Sequence, residues 1–308
     1  MKRLRVLLSL TNYENDYQIE QAGAAEEAAR RFDMDLEVVH ADNDSVNQSK
    51  QLLDAIQQEP SARPDAILFE PVGSTGLPQV ALAAAGAGIT WVVLNCEVRY
   101  IAQLRTAWKT LMFEVSSDHT EIGRIQGRQL SAILPEGGSV LYIQGPSDNL
   151  AAKQRTVGMN ETRARNIHAT ILKGQWTEAS AERAVSGWLR LSTSQRAQIS
   201  AVAAQDDSMA IGARRAFEQL PSPTEKAKWL SLPFLGCDGL PKTGQSWVRS
   251  GVLAATIVIP PNTPLALETL AKAIGGGTPS ERILTTAASF PSLPQLASQF
   301  TAKPALRR

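Results

Sequence analysis

Cysteine and histidine are scarce in this chain: Cys96 and Cys237 are its only cysteines, and His40, His119 and His168 its only histidines, in 308 residues. Two cysteines that each close an apolar run read as packing side chains, not as a disulfide framework. The three scattered histidines read as surface or satisfied core residues, so no metal site and no cofactor are expected. Long hydrophobic runs are missing as well. The longest are only several residues, against the ~20 needed to cross a bilayer, so no membrane insertion is expected. Charge of one sign is also absent: 31 Lys plus Arg stand against 30 Asp plus Glu, which leaves no field to gather a nucleic acid. The basic start MKRLR and the tail ending in Arg307 and Arg308 read as solvated ends. Val6 to Leu10 is too short for a signal-peptide core, and no small-residue cleavage site follows it. As written, the chain is expected to stay in the cytoplasm or to be a mature form given a new start methionine.

Catalytic signatures are lacking too. There is no GxGxxG after the first strand, no GxxxxGK[ST], no GxSxG and no HExxH, which removes the usual dinucleotide, nucleoside-triphosphate, hydrolase and zinc patterns. The GGG at 275–277 follows a helical stretch and precedes Pro279, so it reads as a helix terminator.

What is present is an alternation. With 43% hydrophobic and 20% charged residues the chain is globular throughout, and its length suits two domains of about 150 residues. Short apolar runs alternate with amphipathic stretches, the pattern of parallel sheets covered by helices. Strands are expected at about 4–10, 36–40, 66–70 and 91–95, then at 139–144, 169–174, 199–205 and 233–238. LAATIVI at 253–259 and RILTTAASF near the end read as two further strands, with a helix from PNTPLALETLAKAI between them. In the first helix Ile19, Ala22, Ala25 or Glu26, and Ala29 recur at helical spacing and are expected to face the core. The stretch 97–114 is long for one connection and is expected to carry extra structure or to cover a sheet edge.

In open parallel sheets, ligands bind beyond the strand C-terminal ends. The residues there are Ser9, Asn12, Tyr13 and Tyr17 after the first strand, Glu70 after the third, and Asn95, Cys96 and Glu97 after the fourth. The second series offers Ser147, Asp148, Asn149, Trp176, Asp206, Asp207 and Asp238. Carboxylates and amides with flat aromatics suit a hydroxylated ring, whose hydroxyls need in-plane partners and whose C–H faces stack. The plainer reading is that Asp206 and Asp238 cap the helices that follow them.

Three segments go further: AAKQRTVGM at 151–159, AVAAQDDSMAIGARRAFEQL at 201–220 and FLGCDGLPKTGQSWVRSGVLAATI at 234–257. Together they closely resemble the type I periplasmic sugar-binding proteins of bacterial ABC transporters, with the ribose- and galactose-binding proteins the nearest models. The resemblance runs from about Leu4 to Ala287. It implies an α/β fold of two Rossmann-like lobes with parallel sheets, joined by a three-crossing hinge. The lobes would be 1–116 plus 260–287 and 117–259 plus 288–308, and Pro260 and Pro261 would stiffen the middle crossing. It also implies a monomer that closes around a sugar or polyol, performs no catalysis and passes its ligand to a transporter permease in the periplasm. Carried over by position, the ligand contacts would be Ser9, Asn12, Tyr13 or Tyr17, Glu70, Asn95, Arg155, Trp176, Asp206 and Asp238.

Departures from the ribose-type pattern are specific. Glu70 replaces an asparagine, Asn95 and Cys96 replace an aspartate–arginine pair, and Ile259 replaces a hinge glutamine. The ligand is therefore expected to be an amino sugar, an inositol or another polyol, and not ribose. Two other readings compete. A cytoplasmic ligand sensor of the lactose-repressor type shares the resembled core; with only about three residues before the first strand it would lack a DNA-binding headpiece and signal through a protein partner. An enzyme pairing Glu70 with Asp206 or Asp238 would use the same residues for chemistry.

Overall fold

The computed structural model describes residues 3–73, 76–195 and 197–301, so Arg307 and Arg308 of the basic tail, like Met1 and Lys2, lie outside the described residues. The chain divides into two compact units. It passes from the first to the second at Ser117–Asp118, returns at Ile259–Pro260 and leaves again at Thr285–Thr286.

The first unit is built from β1 (Leu4–Leu10), α1 (Asp16–Arg31), β2 (Met34–His40), α2 (Ser45–Gln57) and β3 (Ala66–Phe69). It continues through α3 (Pro78–Gly86), β4 (Thr90–Leu94), α4 (Ile101–Trp108) and β5 (Met112–Ser117). The second unit holds α5 (His119–Ile133), β6 (Gly138–Gln144), α6 (Leu150–Thr162), β7 (Ile167–Lys173), α7 (Glu178–Leu189) and the short α8 (Ser192–Gln195). It goes on with β8 (Ile199–Ala204), α9 (Asp207–Glu218), α10 (Pro223–Leu230), β9 (Phe234–Leu235), α11 (Gly244–Arg249) and β10 (Thr256–Val258). The chain then returns α12 (Thr263–Ile274) and β11 (Arg282–Thr285) to the first unit, and β12 (Ala288–Phe290) and α13 (Leu293–Thr301) to the second.

In the first unit one all-parallel sheet runs β11-β5-β4-β3-β1-β2. Alternation along the strands serves both of its faces. Val6, Leu8 and Leu10 pack with Ala25, Ala28 and Ala29 of α1 and with Ala266, Leu267 and Leu270 of α12. Leu7, Ile67, Phe69, Trp91 and Val93 pack on the other side with α2, α3 and α4. The second unit repeats the scheme around a parallel sheet β7-β6-β8-β9. There Leu141 and Ile143 share a core with α7, α9 and α10, while Val140 and Tyr142 share one with α5, α6 and α13.

Helices begin where short polar side chains take up the exposed N–H groups of the first turn. Asn15, Asp44, Asp118, Asn149, Thr177, Asp206 and Ser222 each accept from the backbone at the start of a helix. Each such cap contributes about 1 kcal/mol.

Several expectations need correction. RILTTAASF is not one strand: β11 pairs in parallel with β5, whereas β12 pairs antiparallel with β10 in the other unit. The break falls where the chain changes units, which strand propensity does not register. The 233–238 strand shrinks to Phe234–Leu235 with an isolated bridge at Asp238, and 253–259 shrinks to Thr256–Val258. Ile19 is exposed; the buried face of α1 carries Gln18 and Gln21 with its alanines. The 97–114 stretch contains α4 and the first half of β5, a strand that the reading of the sequence did not mark.

That strand carries a buried carboxylate. Glu114 is 3% exposed, accepts from the Val98 backbone N–H at 3.0 Å and is paired with the Arg282 guanidinium of β11. Arg282 also reaches Glu97 at 2.7 Å. Removing one partner of a buried pair leaves a desolvated charge. Arg282→Leu is therefore expected to lower stability by about 2–4 kcal/mol in urea denaturation, and Arg282→Lys by less.

Candidate functional site

Because the strands of the first unit are parallel, the residues following β1, β3, β4, β5 and β11 gather along one edge of the sheet. A hydrogen-bonded set lies there. The Glu70 carboxylate accepts from Gln18 Nε2 at 3.0 Å and from Asn95 Nδ2 at 3.1 Å. Gln18 Oε1 in turn accepts from the Thr11 backbone N–H at 3.1 Å. Gln48 donates to Ser9 Oγ at 3.1 Å and to the Glu70 carbonyl at 2.8 Å, while its own oxygen accepts from Val72 N–H at 2.8 Å. The structure thus brings Ser9, Glu70 and Asn95 together.

The other expected contacts of this unit are placed differently. Asn12 is 5% exposed, and its carbonyl oxygen accepts from Glu14 and Asn15 N–H at 3.0 and 2.9 Å. Its amide donates to Asn43 Oδ1 at 3.0 Å, so the side chain builds its own loop. Tyr13 is 61% exposed, edge-on to His40. Tyr17 is buried and donates its hydroxyl proton to the Pro260 carbonyl at 3.2 Å, on the segment that returns from the second unit.

In the second unit Arg155 is the centre. It is 6% exposed, lies 4.0 Å from the Asp238 carboxylate and donates to the Gln205 carbonyl and, at 3.4 Å, to His119 Nδ1. Its guanidinium carbon lies 5.4 Å from the centre of the Trp176 ring, within reach of a cation–π contact. Asp206 Oδ1 accepts from Met209 N–H at 2.5 Å, so the capping reading holds for Asp206. It does not hold for Asp238, which begins no helix: α11 starts at Gly244 after Thr243.

Three of these residues are among the eight described non-glycine residues with a positive φ. Asn95, Trp176 and Asp238 have φ of +54°, +59° and +103°, a region that side chains other than Gly and Asn seldom adopt. Asp238 is held there from both sides: its N–H donates to the Ile257 carbonyl at 2.9 Å, and its carbonyl accepts from Ile259 N–H at 3.0 Å. The Trp176 indole lies on the bare backbone of Gly145, where an added Cβ would clash with the ring.

The reading of the sequence passed over the glutamines. Gln205 is fully buried and joins the Gly145 N–H, the Ala152 carbonyl, Thr156 and Tyr142 through bonds of 2.9–3.0 Å, fixing the loop and helix that carry Trp176's support and Arg155. Glutamine leaves little pattern in a sequence, but Gln18 and Gln21 on the core side of α1 stand out once that face is known. His119, taken as a surface or satisfied core residue, is buried against Arg155. Among the described residues no group of three or more His, Cys, Asp or Glu gathers to hold a metal ion, and no helix is long and apolar enough to cross a membrane.

Each unit thus carries its own polar group set near its strand ends, Ser9, Glu70 and Asn95 in the first and Arg155, Asp238 and Trp176 in the second. The chain belongs to the family of the periplasmic binding protein domain, whose model matches residues 6–277. It is 29% identical over 199 residues to a putative rhizopine-binding protein of Rhizobium meliloti, covering 63% of this chain and 60% of that relative. It is 25% identical over 258 residues to the ribose import binding protein of Salmonella typhimurium, covering 83% of this chain and 79% of that one. A solved ABC-transporter solute-binding protein of Actinobacillus succinogenes 130z with bound D-allose superposes with a TM-score of 0.80 at 22% identity. That superposition covers 96% of this chain and 99% of the other, and it establishes the fold as the α/β type I periplasmic binding protein fold.

The packing around the site carries two expectations. Helix α6, which carries Arg155, lies so close to α5 that a Cβ on Gly123 would run into the Arg155 carbonyl oxygen. Gly123→Ala must separate the helices and is expected to cost about 1–3 kcal/mol in chemical denaturation. Burial, with the Glu114 and Glu70 charges adding to it, pushes the Cys96 thiol up to about 12, and burial raises Cys237 too. Thiolate is the reactive form, so neither free cysteine should react with an aqueous disulfide reagent at pH 8 until denaturant unfolds the chain, when both should.

Proposed function

We propose that this protein is a solute receptor that closes around a sugar or polyol and delivers it to an ABC importer, without chemical change to the ligand. The observation that carries the reading is the cluster of Arg155, Asp238 and Trp176 in the second unit. A guanidinium supplies fixed donors and a carboxylate supplies acceptors for ring hydroxyls, while an indole face takes the ring's C–H surface. Hydrogen bonds from Arg155 to Gln205 and His119, and the backbone bonds that pin Asp238, restrict these groups, which reduces the ordering cost of binding.

Family membership supports receptor and not enzyme, and it supports a periplasmic location. The relatives named above are called rhizopine-binding and ribose import binding proteins, and the allose-bound structure adds another sugar. In the first unit Ser9, Glu70 and Asn95 are the proposed contacts, with exposed Tyr13 available to stack on a ring. Asn12 and Tyr17 act through the loop and the returning segment they hold, and Asp206 through the helix it caps. A glutamate at position 70, where the ribose-type pattern has asparagine, favours ligands rich in donors: an amino sugar, an inositol or another polyol over ribose. The receptor is proposed to act as a monomer with a membrane permease as its protein partner.

Thermal unfolding against pentoses, hexoses, amino sugars and polyols tests this directly. At about 1,000 times the dissociation constant a true ligand adds about 4 kcal/mol and raises the midpoint by several degrees. Arg155→Lys and Asp238→Asn are expected to abolish that shift. A panel with no shift for the unaltered protein would remove the sugar or polyol reading.

A further inference from the structure

Asn262 stands immediately before α12, where an asparagine would ordinarily turn its side chain onto the first free N–H groups of the helix. It does not do so. Its side chain makes no capping bond, and the Thr263 N–H is taken instead by Gln21 Oε1 of α1 at 3.1 Å. The Asn262 amide, fully buried, donates to Asn95 Oδ1 at 3.3 Å, and its oxygen accepts from the Thr285 hydroxyl at 3.2 Å. Thr285 Oγ1 is also 3.1 Å from Ser117 Oγ. A hydroxyl has one proton to give; since Thr285 gives its proton to Asn262, Ser117 is the donor to Thr285.

The bonds therefore run in one direction, from Ser117 to Thr285 to Asn262 to Asn95 and onto the Glu70 carboxylate. Ser117 and Thr285 are the last residues before two of the chain's passages between units, and Asn262 is the third residue after the remaining one. Donor chains that end on an anion polarise one another, and each amide in this one is oriented by the acceptor ahead of it.

We propose that Asn262 is a positioning residue: it sets the direction of the Asn95 amide and so holds Glu70 in the state that receives ligand. The proposal rests on the receptor reading, in which Glu70 and Asn95 contact the ligand. Asn262→Asp keeps the shape but cannot donate. Asn95 must then turn its amide toward position 262 and present an oxygen to Glu70. Adding Glu70→Gln restores a donor at every step, with the bonds now converging on position 262 from both ends, because an amide at position 70 can donate to Asn95 while its oxygen still accepts from Gln18.

Three readouts test this. Asn262→Asp is expected to lower the midpoint of thermal unfolding by about 5 °C, and the double variant to recover most of that, although residues 70 and 262 are two hydrogen bonds apart. In protein labelled with 15N-asparagine, Asn262→Asp should move the Asn95 side-chain amide signals, which relief of like charge alone would not require. For the sugar or polyol that shifts the unaltered protein, Asn262→Asp should raise Kd about tenfold or more. If Asn262→Asp does not fold, Thr285→Val removes the donor one step earlier and should raise Kd about threefold. Midpoint losses that simply add in the double variant, unmoved Asn95 signals, or an unchanged Kd would each overturn the positioning role. An unaltered protein that responds to no sugar or polyol would instead overturn the receptor reading on which it rests.

Discussion

The first unit depends on a carboxylate that water does not reach. Glu114 sits in the middle of β5 and is held by a guanidinium from β11 and a backbone N–H from the loop after β4. A buried charge is tolerable only when such partners surround it, so three distant stretches of chain must meet around it. Those stretches carry Asn95, Ser117 and Thr285, and their meeting is what aligns the polar edge of the sheet. The nearby thiol of Cys96 feels the same charge, which adds to burial in keeping it protonated.

Most of the architecture was legible because it is written in short-range pattern. Runs such as VVL and AILF, bounded by polar or glycine-containing turns, announce buried parallel strands, and asparagine, aspartate, serine and threonine mark the starts of helices. What escaped is instructive. MFEVSS was unmarked because a charged residue breaks the apolar run that signals a strand buried on both faces, and only Arg282, 168 positions away, explains why Glu114 is there. RILTTAASF reads as a continuous strand because local propensity carries no record of which sheet each half joins.

The candidate site was legible in part for a similar reason. Strand ends of parallel sheets gather at one edge, and that rule names Ser9, Glu70, Asn95, Trp176 and Asp238 as candidates; the likeness in AAKQRTVGM adds Arg155. The rule cannot tell a side chain that faces a ligand from one that builds the loop around it. Asn12 and Tyr17 show why, since each is also tied into its surroundings by a partner, Asn43 or Pro260, that lies 31 or 243 positions away. The glutamines and Asn262 were invisible because amides are ordinary surface residues until the fold buries them, and their importance lies in whom they join.

The interleaved path of the chain has a consequence for how the protein is made. Ala266, Leu267 and Leu270 complete a core begun at Val6, and Leu296 completes one begun at Leu130. A ribosome working from the N-terminus would have passed residue 262 before α12 could seal the first core, and residue 292 before α13 could seal the second. Neither unit can mature early while the other waits, as consecutive domains do. During synthesis, the apolar faces that α12 and α13 later cover stay open together until α12 emerges, and that is the time in which this chain most needs shielding from its neighbours.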